Sequence, residues 1–212
     1  MKKLEQIKAV VFDCDGVLFD SKLANIKFYN SIRAHFGLPP MDKDEEDYVH
    51  VHTAHESVDY IFRNAPHLRE KAQQYRLNMD YTPFIKYMKM EPGLKQLLEE
   101  LKRAGFGLAI ATNRSNTIGP VLEHFGLKHL FDIVISSLDV RNTKPHPESL
   151  YKVLDYFGIS NKEAVYVGDS FVDYEMAKAA EVTFIAYKNK ALKADYHVDH
   201  LLDILKLLIP SD

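Results

Sequence analysis

Acidic side chains directly follow two short apolar runs of the chain. Asp13 and Asp15 come after the run KAVVF, and Asp169 and Asp173 come after the run AVYV. Carboxylates that are brought together repel one another unless a cation or a proton relieves the repulsion. With no histidine or cysteine set beside them, these hard oxygen ligands favour Mg2+ over zinc. The four acids are therefore candidate ligands of a magnesium ion.

Hydroxyl, amide and ammonium groups follow two further apolar runs. Thr112 and Asn113 come after GLAIA, and Lys144 lies in the loop that follows DIVI. A lysine and a threonine beside a cation suit an anion, most simply a phosphoryl group held by charged, hydroxyl and backbone donors. Any one of these polar residues could equally be a helix cap or a turn residue. Their occurrence at four strand ends favours a single site.

The apolar runs predict buried strands of a parallel sheet, because they are short, continuous and bounded by turn residues. The predicted strands cover residues 8–12, 107–111, 132–135, 164–167 and, more weakly, 182–186. Helical patterns separate them, at 94–101, 118–125, 148–157 and 172–180, and a last one at 198–208 closes the chain. This alternation predicts an α/β fold with a doubly wound, mostly parallel, Rossmann-like sheet. In such sheets ligands bind beyond the carboxyl ends of the strands, where the polar residues above are expected to meet.

Residues 21–89 interrupt the alternation, since they show helical periods and no convincing strand. A first helix is predicted up to Phe36, an acidic link follows at 41–47, and two further helices pass through Val58 and Ala72. A helical block between the first and second predicted strands is best interpreted as an inserted small domain. We therefore expect an α/β core formed by 1–20 and 90–212 and a helical cap domain formed by 21–89.

The composition excludes several classes of protein. The chain has 212 residues with 27 Lys+Arg and 30 Asp+Glu, for a net charge of −3, so generic binding to nucleic acid is disfavoured. No apolar run approaches the length of a membrane span. The single cysteine, Cys14, rules out an internal disulfide and fits a reducing compartment. We expect a soluble cytoplasmic protein, monomeric or homodimeric, without a nucleic-acid or membrane partner.

Four segments resemble, in order, the motifs of the haloacid dehalogenase superfamily of phosphohydrolases. They are DCDGVLFDS at 13–21, ATNR at 111–114, KPHPE at 144–148 and GDSFVD at 168–173. The resemblance extends over nearly the whole chain, and it is nearest to members of the phosphoglycolate phosphatase kind. The helical insertion lies where this superfamily carries a small cap. Thr143 and Glu181 stand where a glycine is common, so the loops around them depart from the family pattern.

The resemblance implies a role for each matching residue. Asp13 would attack phosphorus and form an aspartyl-phosphate, while Asp15 would protonate the leaving alcohol and then activate water. Gly16 lets the chain leave strand geometry beside them and is itself a candidate substrate-binding residue. The remaining implied roles are phosphoryl binding by Thr112, Asn113 and Lys144, and Mg2+ binding by Asp13, Asp169 and the backbone carbonyl of Asp15, with Asp173 supporting the metal or Lys144.

Three histidines lie close together in the insertion, in the segment HVHTAHES. His52 and Thr53, with His55, are candidate substrate contacts from the cap. The alternatives are a solvated loop and, with weaker spacing, a zinc site that includes His50. Arg63 is a similar candidate for substrate contact.

The resemblance implies Mg2+-dependent hydrolysis of a small phosphorylated metabolite, a phosphomonoester similar to phosphoglycolate. Relatives that cleave carbon–halogen or carbon–phosphorus bonds lack an aspartate at the position of Asp15, which favours phosphate-ester chemistry. Two alternatives stay open. One is a sugar-phosphate mutase of the β-phosphoglucomutase type, which shares the core. The other is a catalytically idle protein that senses phosphate or binds a partner.

Overall fold

The computed structural model of the chain describes Leu4 and residues 6–209. Within these residues the strands are β1 (Ala9–Phe12), β2 (Phe19–Asp20), β3 (Lys89–Met90), β4 (Gly107–Ala111), β5 (Ile133–Ile135), β6 (Ala164–Gly168), β7 (Thr183–Tyr187) and β8 (Tyr196–Val198). The α-helices are α1 (Lys22–His35), α2 (Lys43–Val51), α3 (Ala54–Ile61), α4 (Arg69–Asn78), α5 (Thr82–Ile85), α6 (Leu94–Arg103), α7 (Ile118–His124), α8 (Glu148–Phe157), α9 (Phe171–Ala179) and α10 (Asp203–Leu208).

Six strands form one parallel sheet in the order β5-β4-β1-β6-β7-β8. All four residues of the central strand β1 are buried, as expected for a strand covered on both faces. Val10 and Phe12 belong to one apolar cluster and Val11 to the other, because successive side chains of a strand point to opposite faces. The predicted doubly wound α/β class is confirmed.

Helices cover the two faces of this sheet. Leu97 of α6, Val121 of α7 and Ile204 of α10 join the cluster that contains Val10. On the other face, Val153 of α8 and Met176 of α9 join a second cluster. The sheet is therefore the middle layer, and its strand ends stay free to carry polar residues.

Residues 21–89, referred to below as the helical segment, extend from the end of β2 to the first residue of β3. These strands pair antiparallel, with Phe19 opposite Met90, so the chain leaves and re-enters the core side by side. Within the segment the ring of Phe28 on α1 contacts the rings of Tyr81 and Phe84 at centroid distances of 5.2 and 5.5 Å. The five helices between β2 and β3 agree with a helical insertion. The division into core and cap domains stays a prediction.

The acidic stretch 41–47 is mostly helix α2, so its prediction as a link is wrong. Asp42 caps the helix by accepting from the Glu45 N–H at 2.8 Å, and the Glu45 side chain accepts from the Asp42 N–H at 3.1 Å. Acidic residues in the first turn also favour the helix, because they lie at the positive end of its dipole. Local capping therefore outweighs the loop-like composition.

The C-terminal region also differs from its prediction. Val198 belongs to strand β8, which pairs with β7, and the helix begins only at Asp203. A short apolar segment beside a sheet edge gains ladder hydrogen bonds as a strand, and a helical period alone does not reveal this. Glu181 has a φ of 53°, a left-handed conformation, which explains why a glycine is common at that position.

Within Leu4 and residues 6–209, no helix is long and apolar enough to span a membrane. Helix α1 has 14 residues, whereas a span takes about 20 apolar residues.

Candidate active site

The turn after β1 carries Asp13, Asp15 and Gly16 at the carboxyl end of the sheet. The Asp13 N–H donates to the carbonyl of Val167 at 2.9 Å, which continues the pairing of β1 with β6. Gly16 has a φ of +80°, and a Cβ atom there would overlap the carboxylate of Asp169. Glycine therefore allows both the left-handed turn and the close approach of Asp169 to this loop.

The Lys144 ammonium lies between two buried carboxylates. Its Nζ is 2.7 Å from Asp13 Oδ1 and 2.8 Å from Asp173 Oδ1, and it donates to the Tyr166 hydroxyl at 3.2 Å. Burial alone lowers the pKa of Lys144, but the charges of Asp13 and Asp173 outweigh burial and hold this pKa above its ordinary value. Lys144 is thus a permanent positive charge at the centre of the site.

Three acids crowd the same edge of the sheet. Oxygens of Asp13, Asp169 and Asp173 lie within 4.8 Å of one another. Burial, with the neighbouring charges of Asp173 and Asp13, raises the pKa of Asp169 to about 8. Burial also raises the pKa of Asp13 to about 7, although Lys144 opposes this shift. When ionised, the three crowded carboxylates carry more negative charge than the single ammonium of Lys144 neutralises. The donor set therefore fits a hard divalent cation such as Mg2+.

Asp173 is engaged differently from the other two acids. Its Oδ1 accepts from Lys144 and from the Tyr166 hydroxyl at 2.7 Å, and its Oδ2 accepts from the hydroxyl and the N–H of Ser170. Burial raises its pKa, but Lys144 and these hydrogen bonds lower it below the ordinary value. Both carboxylate oxygens are occupied by protein donors. Of the two roles expected for Asp173, its contacts favour support of Lys144.

Thr112 and Asn113 extend from the end of β4 toward the Lys144 loop. The Thr112 hydroxyl accepts from the N–H of Arg114 at 3.1 Å. Asn113 Oδ1 accepts from the Lys144 N–H at 3.0 Å, which ties the loop of Lys144 to β4. Both residues line one cavity with Asp13 and Asp15. The cavity has a volume of about 80 Å³.

A buried guanidinium that sequence reasoning gave no role holds Asp15. Arg114 Nε donates to Asp15 Oδ2 at 2.8 Å, and Nη2 donates to Oδ1 at 2.7 Å. The same Nη2 reaches Asn25 Oδ1 at 3.2 Å and the Tyr81 hydroxyl at 3.3 Å, both in the helical segment. Ser21 also donates to Asp15. Arg114 is the last residue of the matched segment ATNR, and its place in that motif is the signal that could have identified it.

The charge of Arg114 determines the ionisation of Asp15. Burial by itself raises the pKa of Asp15, but the charge and hydrogen bonds of Arg114 outweigh burial and hold this pKa below its ordinary value. Asp15 is therefore a carboxylate in this arrangement, paired through a bidentate contact that favours its charged form.

The helical segment covers the cavity with His50, His52 and other residues. The ring of His52 stacks on Tyr48 at a centroid distance of 3.7 Å. Thr53 does not line the cavity. Its hydroxyl caps α3 by accepting from the Glu56 N–H at 3.2 Å and donates to the Glu56 carboxylate at 2.7 Å. The structure thus brings His52 to the site and leaves Thr53, an expected substrate contact, in a capping role.

The other candidates from the insertion lie outside the cavity. His55 is exposed and lies 3.5 Å from Asp59, and Arg63 lies 2.5 Å from Glu45. Among the described residues, Asp13, Asp169 and Asp173 form the one group of three or more metal-ligating side chains, so the three histidines do not form a zinc site.

Arg76 lines the cavity although sequence reasoning did not single it out. It is buried on α4 together with Ala72, one helical turn earlier. A charged residue at an apolar position of a helical period is the signal that could have identified it.

The chain is similar to known proteins over most of its length. Residues 10–187 match the family model of the haloacid dehalogenase-like hydrolases. A phosphoglycolate phosphatase of Haemophilus influenzae is 31% identical over 82% of this chain and 83% of its own. A pyrophosphatase PpaX of Bacillus cereus is 28% identical over 97% of this chain and 96% of its own.

The fold is also shared with a solved structure. A subfamily IA hydrolase of the same superfamily from Geobacter sulfurreducens superposes with a TM-score of 0.84 and 40% identity, over 95% of this chain and all of that one. The expected hydrolase class is confirmed, and the activity of the phosphatase relatives agrees with the expected phosphoric monoester hydrolase. A match over most of the chain, with its motifs gathered at one sheet edge, places the protein in the haloacid dehalogenase-like hydrolase family.

Proposed function

We propose that the protein is a Mg2+-dependent phosphatase that hydrolyses a small phosphomonoester of the phosphoglycolate kind through an aspartyl-phosphate on Asp13. The observation that carries this proposal is the buried contact between Asp13 and Lys144, 2.7 Å apart in a cavity that Thr112 also lines. A carboxylate next to a fixed cation is arranged to meet a phosphoryl group, whose oxygens the cation and the hydroxyl can bind.

The first step transfers the phosphoryl group to the protein. A carboxylate oxygen of Asp13 attacks phosphorus, the bond between phosphorus and the alcohol oxygen breaks, and Asp15 gives its proton to the departing oxygen. In the second step Asp15 takes a proton from water, whose oxygen attacks the same phosphorus and releases phosphate and the Asp13 carboxylate. A bound Mg2+, held by Asp13, Asp169 and the Asp15 carbonyl, would supply neutralisation of the carboxylate and phosphoryl charges.

The two steps need opposite protonation states of Asp15. Arg114 stabilises the carboxylate form, which is the base of the second step. The acid of the first step requires Asp15 to lose part of its contact with Arg114. Because Arg114 also contacts Asn25 and Tyr81, movement of the helical segment is a natural means of changing that contact.

The helical segment is proposed to act as a cap, and a cap that closes over the cavity limits the size of the substrate. We assign residues 21–89 as a cap over the core formed by 1–20 and 90–212, because the cavity is lined from both parts. Closure excludes bulk water from the reacting groups, so that the water of the second step is the one that Asp15 activates. A cavity of about 80 Å³ suits a small metabolite.

Phosphate release with Mg2+ tests this function. The substrates are phosphoglycolate, pyrophosphate and β-glucose 1-phosphate, and Asp13→Asn is the blank. We expect phosphoglycolate to release stoichiometric phosphate and the blank to lose at least about 10⁴-fold in rate, as expected when a nucleophile is removed. Activity that survives Asp13→Asn would contradict the mechanism.

The same assay separates the two alternatives. A mutase converts glucose 1-phosphate to glucose 6-phosphate without stoichiometric phosphate release. An idle phosphate-sensing protein accumulates acid-stable, hydroxylamine-sensitive label from a phosphate donor with negligible turnover. Either result would replace the phosphatase assignment.

A further inference from the structure

Among the residues that the structure describes, buried lysine and arginine side chains are paired with carboxylates, with one exception. Buried charges are costly unless they are paired and hydrogen-bonded. Three such pairs, each with a shortest N–O distance of 2.6 or 2.7 Å, are Arg33 with Glu45, Arg114 with Asp15 and Lys144 with Asp13. The exception is Arg76, which is 7% exposed and has no carboxylate within ion-pair distance among the described residues.

The protein holds Arg76 by one neutral contact. Its Nε donates to Gln73 Oε1 at 3.2 Å, and its two terminal nitrogens have no hydrogen-bond partner among the described residues. Gln73 is itself fixed, because its Nε2 donates to the His55 carbonyl at 2.8 Å and to Asp59 Oδ1 at 3.0 Å. The guanidinium is therefore oriented along one edge, while its fork of donors is left for the cavity that it lines.

Within the described part of the chain, no neighbouring group supplies the missing negative charge. Burial raises the pKa of Tyr29 to about 12, so this phenol beside Arg76 stays neutral. Arg76 lies in the last turn of α4, where the helix dipole offers the equivalent of about half a charge at most. Burial lowers the pKa of Arg76, as expected for a cation without a counter-ion.

A second buried polar atom, on another residue that lines this cavity, has no partner among the described residues. His50 Nδ1 is buried and unbonded within the described residues, and His50 lines the cavity with Arg76. Buried polar groups are nearly always satisfied in folded proteins, so unsatisfied groups on two residues that line one cavity point to a ligand bound there.

We propose that Arg76 binds a negatively charged group on the leaving part of the substrate, and that this group is a carboxylate. This inference rests on the proposed function, in which the phosphoryl group occupies the core side of the cavity. One guanidinium matches a carboxylate monoanion in charge and, through its two terminal nitrogens, in geometry. The substrate class is therefore a phosphorylated small hydroxy acid, and Arg76 is its specificity-determining residue.

The test compares substrates with and without the carboxylate. Phosphoglycolate and hydroxyethyl phosphate have nearly the same shape and differ in that charge. We expect Arg76→Met to reduce the ratio of their kcat/KM values by at least about 30-fold, since truncating one partner of a buried charge pair costs that much or more. Arg76→Lys should give an intermediate loss, because lysine keeps the charge without the planar fork. Lys71→Met removes an exposed charge from the same helix and should leave the ratio unchanged.

A binding measurement keeps the inference testable if turnover is absent. Calorimetry with 3-phosphonopropionate and 3-hydroxypropylphosphonate compares the same two end groups on a backbone that cannot be hydrolysed. Tighter binding of the carboxylate compound by the unmodified protein, lost in Arg76→Met, supports the subsite even where the proposed hydrolysis fails.

Stability separates substrate binding from a structural role. An unpaired buried cation destabilises the free protein, so Arg76→Met should raise the midpoint of thermal unfolding without ligand. Equal losses on both substrates, with a lowered midpoint, would show a structural residue and overturn the proposal. Preference for pyrophosphate over phosphoglycolate would overturn the carboxylate assignment.

Discussion

The two sides of the cavity differ in how their charged groups are satisfied. On the core side Lys144 contacts Asp13 and Asp173, and Arg114 grips Asp15 with two hydrogen bonds. On the side of the helical segment, Arg76 and His50 Nδ1 lack such partners among Leu4 and residues 6–209. Catalytic groups are oriented in advance by partners within the protein. Groups that recognise one substrate are left without such partners, and the bound substrate supplies them.

Among the changes that test this contrast, substitution of Asp15 has the largest expected effect on the rate. Asp15→Asn should slow hydrolysis of phosphoglycolate by about 10²- to 10⁴-fold, the usual contribution of general acid–base catalysis. An aryl phosphate should lose far less in the first step, because its leaving group departs without a proton. The measurement is the rate of transfer to Asp13 in single turnovers on both substrates. Equal loss on both would mean that Asp15 acts through the packing of Arg114 and not as the acid.

The crowded carboxylates predict how stability depends on pH without metal. The pKa values of Asp13 and Asp169 are raised from 3.8 to about 7 and about 8. Between the unfolded and the folded pKa of each group, the folded protein therefore binds more protons than the unfolded chain. Stability without metal should therefore fall as pH rises from about 4 to about 8. Thermal unfolding in EDTA across this range measures it.

Added Mg2+ should oppose that fall, since it binds the ionised acids. Saturation to about 100 times the dissociation constant stabilises a folded protein by about 2.7 kcal/mol. The shift in unfolding midpoint should be largest at the alkaline end, and Asp169→Asn should flatten the dependence in EDTA. A midpoint insensitive to both pH and Mg2+ would show that Asp13 and Asp169 do not hold a metal ion.

Thr53 gives the smallest expected effect and tests the boundary of the site on the helical side. Thr53→Ala should cost about 1 kcal/mol of stability through loss of the α3 cap, while KM for phosphoglycolate stays unchanged. Urea unfolding and steady-state kinetics measure the two quantities. A raised KM at unchanged stability would restore Thr53 as a substrate contact.

Local pattern was enough to predict the sheet and the acids at its edge. Apolar runs that end in polar residues identify buried parallel strands and the edge where their side chains meet, as Asp13 and Asp169 illustrate. Local pattern was less reliable where composition and capping compete. The stretch 41–47 has the composition of a linker, yet Asp42 and Glu45 cap a helix there. Val198 fits a helical period, yet the open edge of β7 pairs with it.

The helical side of the cavity was the least predictable. Thr53 and His55 were singled out because hydroxyl and imidazole groups often bind ligands, but one caps α3 and the other is exposed. Arg76 drew no attention because an arginine in a helix is usually solvated, and its burial depends on how α4 packs against α1 and α3.

The sequence by itself determined the fold class, the family motifs and the residues that gather at the sheet edge, because strand direction and chain order settle which ends meet. Only the tertiary structure decided which charge is paired with which. The contact between Arg114 and Asp15 joins residues 99 positions apart, and the isolation of Arg76 depends on every neighbour that could have carried a negative charge. The pairing of charges depends on three-dimensional distance and burial, and neither quantity follows from the spacing of residues along the chain.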